Sequence, residues 1–464
     1  MGSENNQGYF MSMYHRMIWA GFVAGLATVC MAKNPILPGY ADPHMRVWDG
    51  RVYLAVGKDH GPDIKAFKIT HWDFYFSEDL INWRHESRMG PEHTFIGEGR
   101  HRCWAGDLAE KDGKYYFYFS NGGKEMGVAV SDKPGGPYRD ALGKPFLSHD
   151  FSLNHEYDPT IFTEDNGDKY VIYGRDGYDG KNHIHYQIAK LSDDMLSLEG
   201  EPRDLMTDRK YGFGFKNEKK SRARDHQYFH KHNGIYYLSA DKAYMTSTNL
   251  FGPYGNMRNA YDGMAGHSSF IEYNGQWYLA WEYSCEPYGN RRYRQVMLTY
   301  LHYRDNGDLA PDKTFMPAPP RGLHYENGVG SYGADWPVIE AEWFFKRDGQ
   351  LLKKECPAGG FELQNIHAGD SLCFPNVKDV QANSTIRFKV SSKHKAGGAI
   401  EVRAGTPDGD VLGTATVEPT GDWDSYQNVS CTLRNDAGKQ DLCFVFKGQG
   451  GELMRLDSFV LLGK

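Results

Sequence analysis

The chain carries little excess charge of either sign. Lys plus Arg number 53 against 60 for Asp plus Glu, giving a formal net charge of −7. Runs of Lys and Arg are missing, so there is no basic footprint for nucleic acid. Polar linkers are missing too, and 24% charged with 40% hydrophobic residues is globular composition, which excludes disorder. Cysteines number seven in 464 residues, and no pair has the spacing of a zinc site. Disulfides become available if the chain is exported, although a chain of this length does not need them. One stretch stands out, Met11 to Ala32, in which His15 and Arg16 precede an apolar run that ends in Cys30-Met31-Ala32. It is short for a membrane anchor and has the form of a cleaved export signal. Residues 1–32 are therefore expected to be an N-terminal extension and export signal of a periplasmic or secreted protein with no membrane span. Ala27-Thr28-Val29 makes a poor lipobox before Cys30, so lipoprotein anchoring is the lesser reading.

What the chain has in quantity is aromatic residues, at 14%, and glycine, at 53. Together with many short apolar runs they predict an all-β protein with tight turns. One pattern recurs five times: DGRVYLAVG from Asp49, DGKYYFYFS from Asp112, NGDKYVIYG from Asn166, NGIYYLSAD from Asn233 and NGQWYLAWE from Asn274. Each opens with the Asn-Gly or Asp-Gly pair of a two-residue hairpin turn. Each hairpin is followed by another strand and turn, such as SEDLINW after Phe76 or STNLFGPY after Thr246. Five such units, roughly 40 to 65 residues apart, predict a five-bladed β-propeller.

Just upstream of the five hairpins stand Asp42, Asp107, Asp158, Asp225 and His267. The innermost strands of a propeller surround its central channel, so their starts converge at one end. Four carboxylates and a histidine in register are then expected in a single pocket. Converging acids repel unless solvated, paired or used, which marks a functional site. The bland alternative is that Asp-Pro pairs merely start turns.

The motifs YADP, WAGD, EYDPTIF, the acid before HKHNGIYYLS, and AGHSSFIEYNGQWYLAW, in this order, resemble glycoside hydrolase family 43 over roughly Asn34 to Asp312. The resemblance implies a hydrolase that inverts the anomeric centre with two carboxyl groups, one activating water and one protonating the leaving oxygen. It implies Asp42 as base, Asp158 as the group that orients the acid and raises its pKa, and Asp225 as acid. His267 matches a hub histidine and Arg294 a hub arginine. No cofactor is implied for catalysis. The sequence departs from the family at Asp225, where the acid is normally Glu. An acid one methylene shorter leaves His226 as the competing proton donor. Trp48 and Trp104 are candidates to stack on sugar, with blade packing as the alternative for Trp104 and Trp72. Arg102, His155 and neighbouring His and Arg residues precede the inner strands. They either recognise an anionic glycan or neutralise the acidic cluster.

From about Pro337 the pattern changes to short alternating strands such as STIRFKV, GAIEVRAG and DLCFVFKG, which predict a β-sandwich of jelly-roll type. Glu340-Ala341-Glu342, TGDWDSYQ around Trp423, and the closing RLDSF resemble carbohydrate-binding module family 6. That resemblance implies a structural calcium held by Glu340, Glu342 and Asp457. Arg455 replaces a ligand-contacting Asn, so the module either binds sugar or only buttresses the propeller. The expected organisation is 1–32 extension and signal, 33–312 propeller, 313–336 connector, and 337–464 sandwich. The function expected is an inverting exo-glycosidase, because a hub pocket admits a chain end more easily than a chain middle. Its substrate is either an anionic or galactan-type glycan, or arabinofuranosyl and xylosyl groups of plant hemicellulose. A catalytically inactive sugar-binding propeller is the remaining alternative. The partner is an oligo- or polysaccharide, and the chain is expected to be a monomer or small homo-oligomer.

Overall fold

The computed structural model describes residues 29–30, 34–148, 156–176, 184–205, 227–240, 242–260, 265–283, 292–316, 324 and 327–463. Most of the expected export signal lies outside these residues. Val29–Cys30 is described and pairs with Asn82 and Trp83.

The five repeats form five antiparallel sheets. Their innermost strands are Tyr40–Trp48, Cys103–Lys111, Glu156–Thr163, Gln227–His232 and Ala265–Tyr273. Four of the five hairpin turns behave as the sequence requires; the third differs, being a longer loop between the paired residues Thr163 and Lys169 in which only Gly167 has positive φ. Asp49, Asp112, Asn233 and Asn274 all adopt positive φ, between 48° and 54°, and each is followed by a glycine with positive φ. This matches the handedness of the flanking strands. The ring closes on itself because Leu37–Pro38, from the start of the chain, pairs with the strand Gln295–Tyr303 of the fifth blade. Between blades the packing is aromatic. Trp72, fully buried, lies with its ring centroid 5.6 Å from Phe117 and 4.9 Å from Phe119. It is a blade-packing residue.

The C-terminal part is a sandwich of two six-stranded sheets. Its faces bury Phe374, Phe388, Phe444 and Phe459 against one another. The adjacent strands Ser371–Val380 and Gly438–Lys447 of one sheet are joined by a disulfide, Cys373–Cys443. The sandwich already begins inside the expected connector, since Tyr332–Gly333 pairs with Val377 and Lys378. Propeller and sandwich share one apolar cluster that includes Tyr278, Tyr300, Trp343 and Phe344. Polar contacts fix the junction: Gln276 Nε2 donates to the carbonyl of Glu342 at 2.6 Å, and Lys353 Nζ donates to Gln276 Oε1 at 2.6 Å.

Candidate active site

The inner strands do not run straight into the channel. In the first blade the pairing with the next strand slips between Ala41 and His44, so Asp42 and Pro43 bulge out. In the third blade it slips between Tyr157 and Thr160, so Asp158 and Pro159 do the same. In the fifth it slips between Ala265 and Ser268, which places His267 in the bulge. Proline suits such a position because it has no N–H to lose from the ladder. The aspartate N–H freed by each bulge is taken by a side chain of the preceding blade. Asp42 N donates to Glu282 Oε2 at 3.2 Å, and Asp158 N donates to Ser120 Oγ at 2.9 Å.

The bulges bring Asp42, Asp158, His267 and Arg294 to one pocket, with Trp104, Phe67 and Ile69 in its wall. His267 Nε2 lies 3.4 Å from Asp42 Oδ1 and 3.6 Å from Asp158 Oδ2, so one imidazole nitrogen reaches both carboxylates. Arg294 is buried and serves three acids. Its Nη1 is 3.0 Å from Asp42 Oδ1 and 3.0 Å from Glu282 Oε2, and its Nη2 is 2.9 Å from Asp59 Oδ1. Burial opposes the charge of Arg294, but Glu282, Asp42 and Asp59 outweigh it and hold the guanidinium well above its ordinary pKa. Trp104 contributes a buried indole N–H that has no partner among the described residues. Phe67 is exposed at the mouth, with the guanidinium carbons of Arg292 and Arg294 5.0 and 5.4 Å from its ring centre.

The structure thus brings together Asp42, Asp158, His267, Arg294 and Trp104, as the sequence leads one to expect. Three expectations are corrected. Asp107 does not line the pocket. It is fully buried beneath it, accepting bonds from Arg46, from the backbone N of Ile161 at 2.7 Å and from Thr160 Oγ1 at 3.2 Å. Burial pushes the Asp107 carboxyl up, but Arg46 and His44 overcome this and hold it below the usual range. Its side chain faces the channel interior because the bulge in its strand falls earlier, between Trp104 and Gly106. Trp48 stands at the far end of its inner strand and lines a cavity at the opposite mouth of the channel. Arg102 is exposed and is not among the pocket-lining residues. Asp225, His226 and His155 lie outside the described residues. Sequence reasoning missed Asp59 and Glu282. The ninth position of the repeat held a clue, since the residue there abuts the next inner strand: it is Ser120 in the second repeat and Glu282 in the fifth.

In the sandwich, Glu340 pairs with Ser458, next to Asp457. Burial, then Asp457 and Asp312, push the Glu340 carboxyl up to about 7. Glu342 is buried and also pushed well up, and its Oε2 has no partner among the described residues. Repelling hard oxygens with an orphaned member suit a calcium ion chemically. Among the described residues, however, no group of three or more such side chains is already drawn together at metal-holding spacing. Asp457 Oδ2 instead sits 3.1 Å from Lys389 Nζ. Arg455 lies 5.1 Å from the centre of the Trp423 ring and 3.4 Å from Glu362 Oε1.

A propeller whose hub gathers carboxylates, an arginine and a histidine, followed by a jelly-roll module, is the architecture of a glycoside hydrolase with an attached carbohydrate-binding module. The model of glycosyl hydrolases family 43 matches residues 32–309, and that of carbohydrate binding module family 6 matches residues 340–462. The chain belongs to glycosyl hydrolases family 43 and is a glycosidase. Among its relatives, an arabinoxylan arabinofuranohydrolase of Paenibacillus polymyxa is 26% identical over 94% of this chain and 75% of its own length. An arabinoxylan arabinofuranohydrolase of Bacillus subtilis is 26% identical over 92% of this chain and 91% of its own. A solved β-xylosidase/α-arabinofuranosidase from a compost microbial metagenome is 25% identical, with a TM-score of 0.50, over 61% of this chain and 97% of that one.

Proposed function

We propose that this protein is an exported, inverting exo-glycosidase that removes a neutral terminal or branching sugar, of the arabinofuranosyl or xylosyl type, from a plant polysaccharide. The observation that carries the reading is the single imidazole of His267 lying within 3.6 Å of both Asp42 and Asp158. Asp42 and Asp158, delivered by separate blades to one enclosed pocket, supply the base and the orienting carboxylate of hydrolysis by inversion, whose proton donor, Asp225, lies outside the described residues. In this reading Asp42 takes the proton of the attacking water. Asp158 orients the proton donor and favours its protonated form by like-charge proximity. Asp225 gives the proton to the leaving oxygen, with His226 the competing donor. Arg294 fixes the Asp42 carboxylate, Glu282 accepts from the Asp42 backbone N–H, and the Trp104 indole N–H offers a donor to a sugar hydroxyl. A neutral sugar is favoured because Asp42, Asp59, Asp158 and Glu282 outnumber Arg294 and His267 in and around the pocket. Two relatives that extend over propeller and module together are arabinoxylan arabinofuranohydrolases. The anionic-substrate reading rests on the rim residues, of which Arg102 is exposed.

The test is hydrolysis of a panel of neutral and sulfated oligosaccharides, with NMR of the first-formed anomer. The expected result is release of a neutral pentose with inverted configuration. Retention of configuration, or turnover that survives both Asp42→Asn and Asp225→Asn, sinks the mechanism. An Asp225→Asn protein that is still fast on aryl glycosides with acidic leaving groups, but slow on natural ones, would identify the acid.

A structural calcium at Glu340, Glu342 and Asp457 belongs to the same proposal. It would neutralise the mutual repulsion that lifts Glu340 and Glu342. Export is supported by the apolar N-terminal run and by the Cys373–Cys443 disulfide, since such bonds persist in oxidising compartments.

A further inference from the structure

The catalytic pocket is not the largest cavity of the described residues. It encloses about 60 Å³, whereas a cavity at the opposite mouth of the channel encloses about 600 Å³. The hydrolytic chemistry belongs to the smaller one, because the carboxylates converge there. The larger one is walled by the second halves of the inner strands, among them Arg46, Trp48, Glu110, Thr163 and His230, with Lys169 from a neighbouring strand. It is separated from the catalytic pocket by a plug of side chains. Arg46 lies at the floor and commits its donors to the carbonyls of Leu108 and Ile161, to Tyr228 Oη and to Asp107. Above it, His44 lies 3.4 Å from Asp107 Oδ1, and its ring centre is 6.2 Å from that of His267.

We propose that this far-mouth cavity is a second binding site of the propeller, for a neutral oligosaccharide segment, with Trp48 as its stacking platform. The inference rests on carbohydrate being the substrate class of this protein, but on none of the catalytic residues. The volume falls within the range of small-molecule sites. Trp48 is only half-buried, packed edgewise on Tyr115 at 5.1 Å, and lines the cavity. The polar wall mixes donors and acceptors. Lys169 Nζ lies 3.2 Å from Thr163 Oγ1, and Glu110 lines the same cavity. The cations do not form a charge trap: Arg46 is spent on Asp107, and Lys231 is held by Glu164 at 2.6 Å and Asp165 at 2.7 Å. The remaining cation, Lys169, is offset by Glu110 of the same cavity, so the balance favours uncharged hydroxyls. The site would hold polymer on the face of the propeller opposite the catalytic pocket.

The experiment is isothermal titration of the full chain carrying Asp42→Asn with xylotetraose, repeated with Lys169→Ala, Trp48→Phe or Trp104→Ala added. The expected result is a binding event weakened at least tenfold by Lys169→Ala and by Trp48→Phe, and unaffected by Trp104→Ala. Thermal melts of each variant establish that it is folded, and Trp48→Phe keeps most of the apolar packing. Isotherms that ignore both far-mouth substitutions overturn the proposal. So does tighter binding of a uronate-bearing tetrasaccharide at the event sensitive to Lys169→Ala. Hydrolysis of aryl glycosides by the unsubstituted chain is measured alongside. Its absence removes the hydrolase reading and leaves this one standing.

Discussion

Asp42 and Asp158 share one backbone conformation: φ is 55° at the first and 54° at the second, each in the left-handed region and each followed by proline. Asp and Asn enter that region more readily than other residues with a side chain. The bulge turns each side chain into the channel while the rest of its strand stays in the ladder. Asp42→Asn and Asp158→Asn therefore keep the fold, because Asn tolerates the same φ. Each is expected to lower kcat on a natural oligosaccharide by about 10²–10⁴-fold, and Asp42→Asn also to lower Tm, because it takes one carboxylate away from buried Arg294. Asp158→Val should add a stability loss of about 1–3 kcal/mol from backbone strain, seen in urea unfolding. Equal melting of the Asn and Val variants would show that the left-handed backbone is not strained by the substitution.

Arg294 supports a concentration of buried negative charge. Asp42, Asp59 and Glu282 all reach it at about 3 Å. Arg294→Met fills a similar volume but leaves the three acids without the guanidinium, which is expected to cost about 3–5 kcal/mol in unfolding free energy. Adding Asp59→Asn should recover part of that loss, because it removes one of the uncompensated charges. The double-mutant cycle measures the coupling directly. Strict additivity of the two substitutions would mean that Arg294 and Asp59 do not depend on each other.

The blade count was legible because each hairpin turn needs positive φ, and Asn-Gly or Asp-Gly at Asp49, Asp112, Asn233 and Asn274 announces it locally. The convergence of Asp42, Asp158 and His267 was legible for a related reason: register within a repeat fixes height along the channel. The repeat also encodes why Asp107 differs: it stands five residues before its turn at Asp112, whereas Asp42 stands seven before Asp49, so it falls past the bulge between Trp104 and Gly106 and its carboxylate ends up beneath the pocket with Arg46. Trp48 was misplaced because six residues of strand, at about 3.3 Å each, carry it from the catalytic end to the other mouth. Glu282 and Asp59 were hidden because their roles depend on contacts between blades that lie far apart in sequence.

The Cys373–Cys443 disulfide closes a separation of 70 residues within the module. On chain-entropy grounds a loop of that length is worth about 4 kcal/mol. Reduction, or Cys373→Ala with Cys443→Ala, is expected to lower the unfolding temperature of the module and leave hydrolysis of aryl glycosides at 25 °C unchanged. Calorimetry with and without reductant checks this. A module transition that ignores reductant would mean that the bond contributes no net stability.

Glu340 gives the module a pH dependence whose sign follows from its surroundings. Burial, then Asp457 and Asp312, raise its carboxyl from 4.5 to about 7. Between these values the unfolded chain is ionised there while the folded chain keeps its proton. The contribution of Glu340 to stability is therefore complete below pH 4.5 and is lost as pH rises through 7. The loss is at most about 3 kcal/mol for a shift of this size. Calcium binds the ionised form, so saturating metal should abolish the decline. At a concentration one hundred times its Kd it should add about 2.7 kcal/mol at pH 8. Melting the protein at pH 5 and pH 8, each in calcium and in EDTA, separates the two effects. The expected pattern is a lower Tm at pH 8 in EDTA alone, and the same pattern should vanish in Glu340→Gln. Identical melting in calcium and EDTA at pH 8 would remove the metal and leave Glu340 as a buried acid whose repulsion is met only by Lys389.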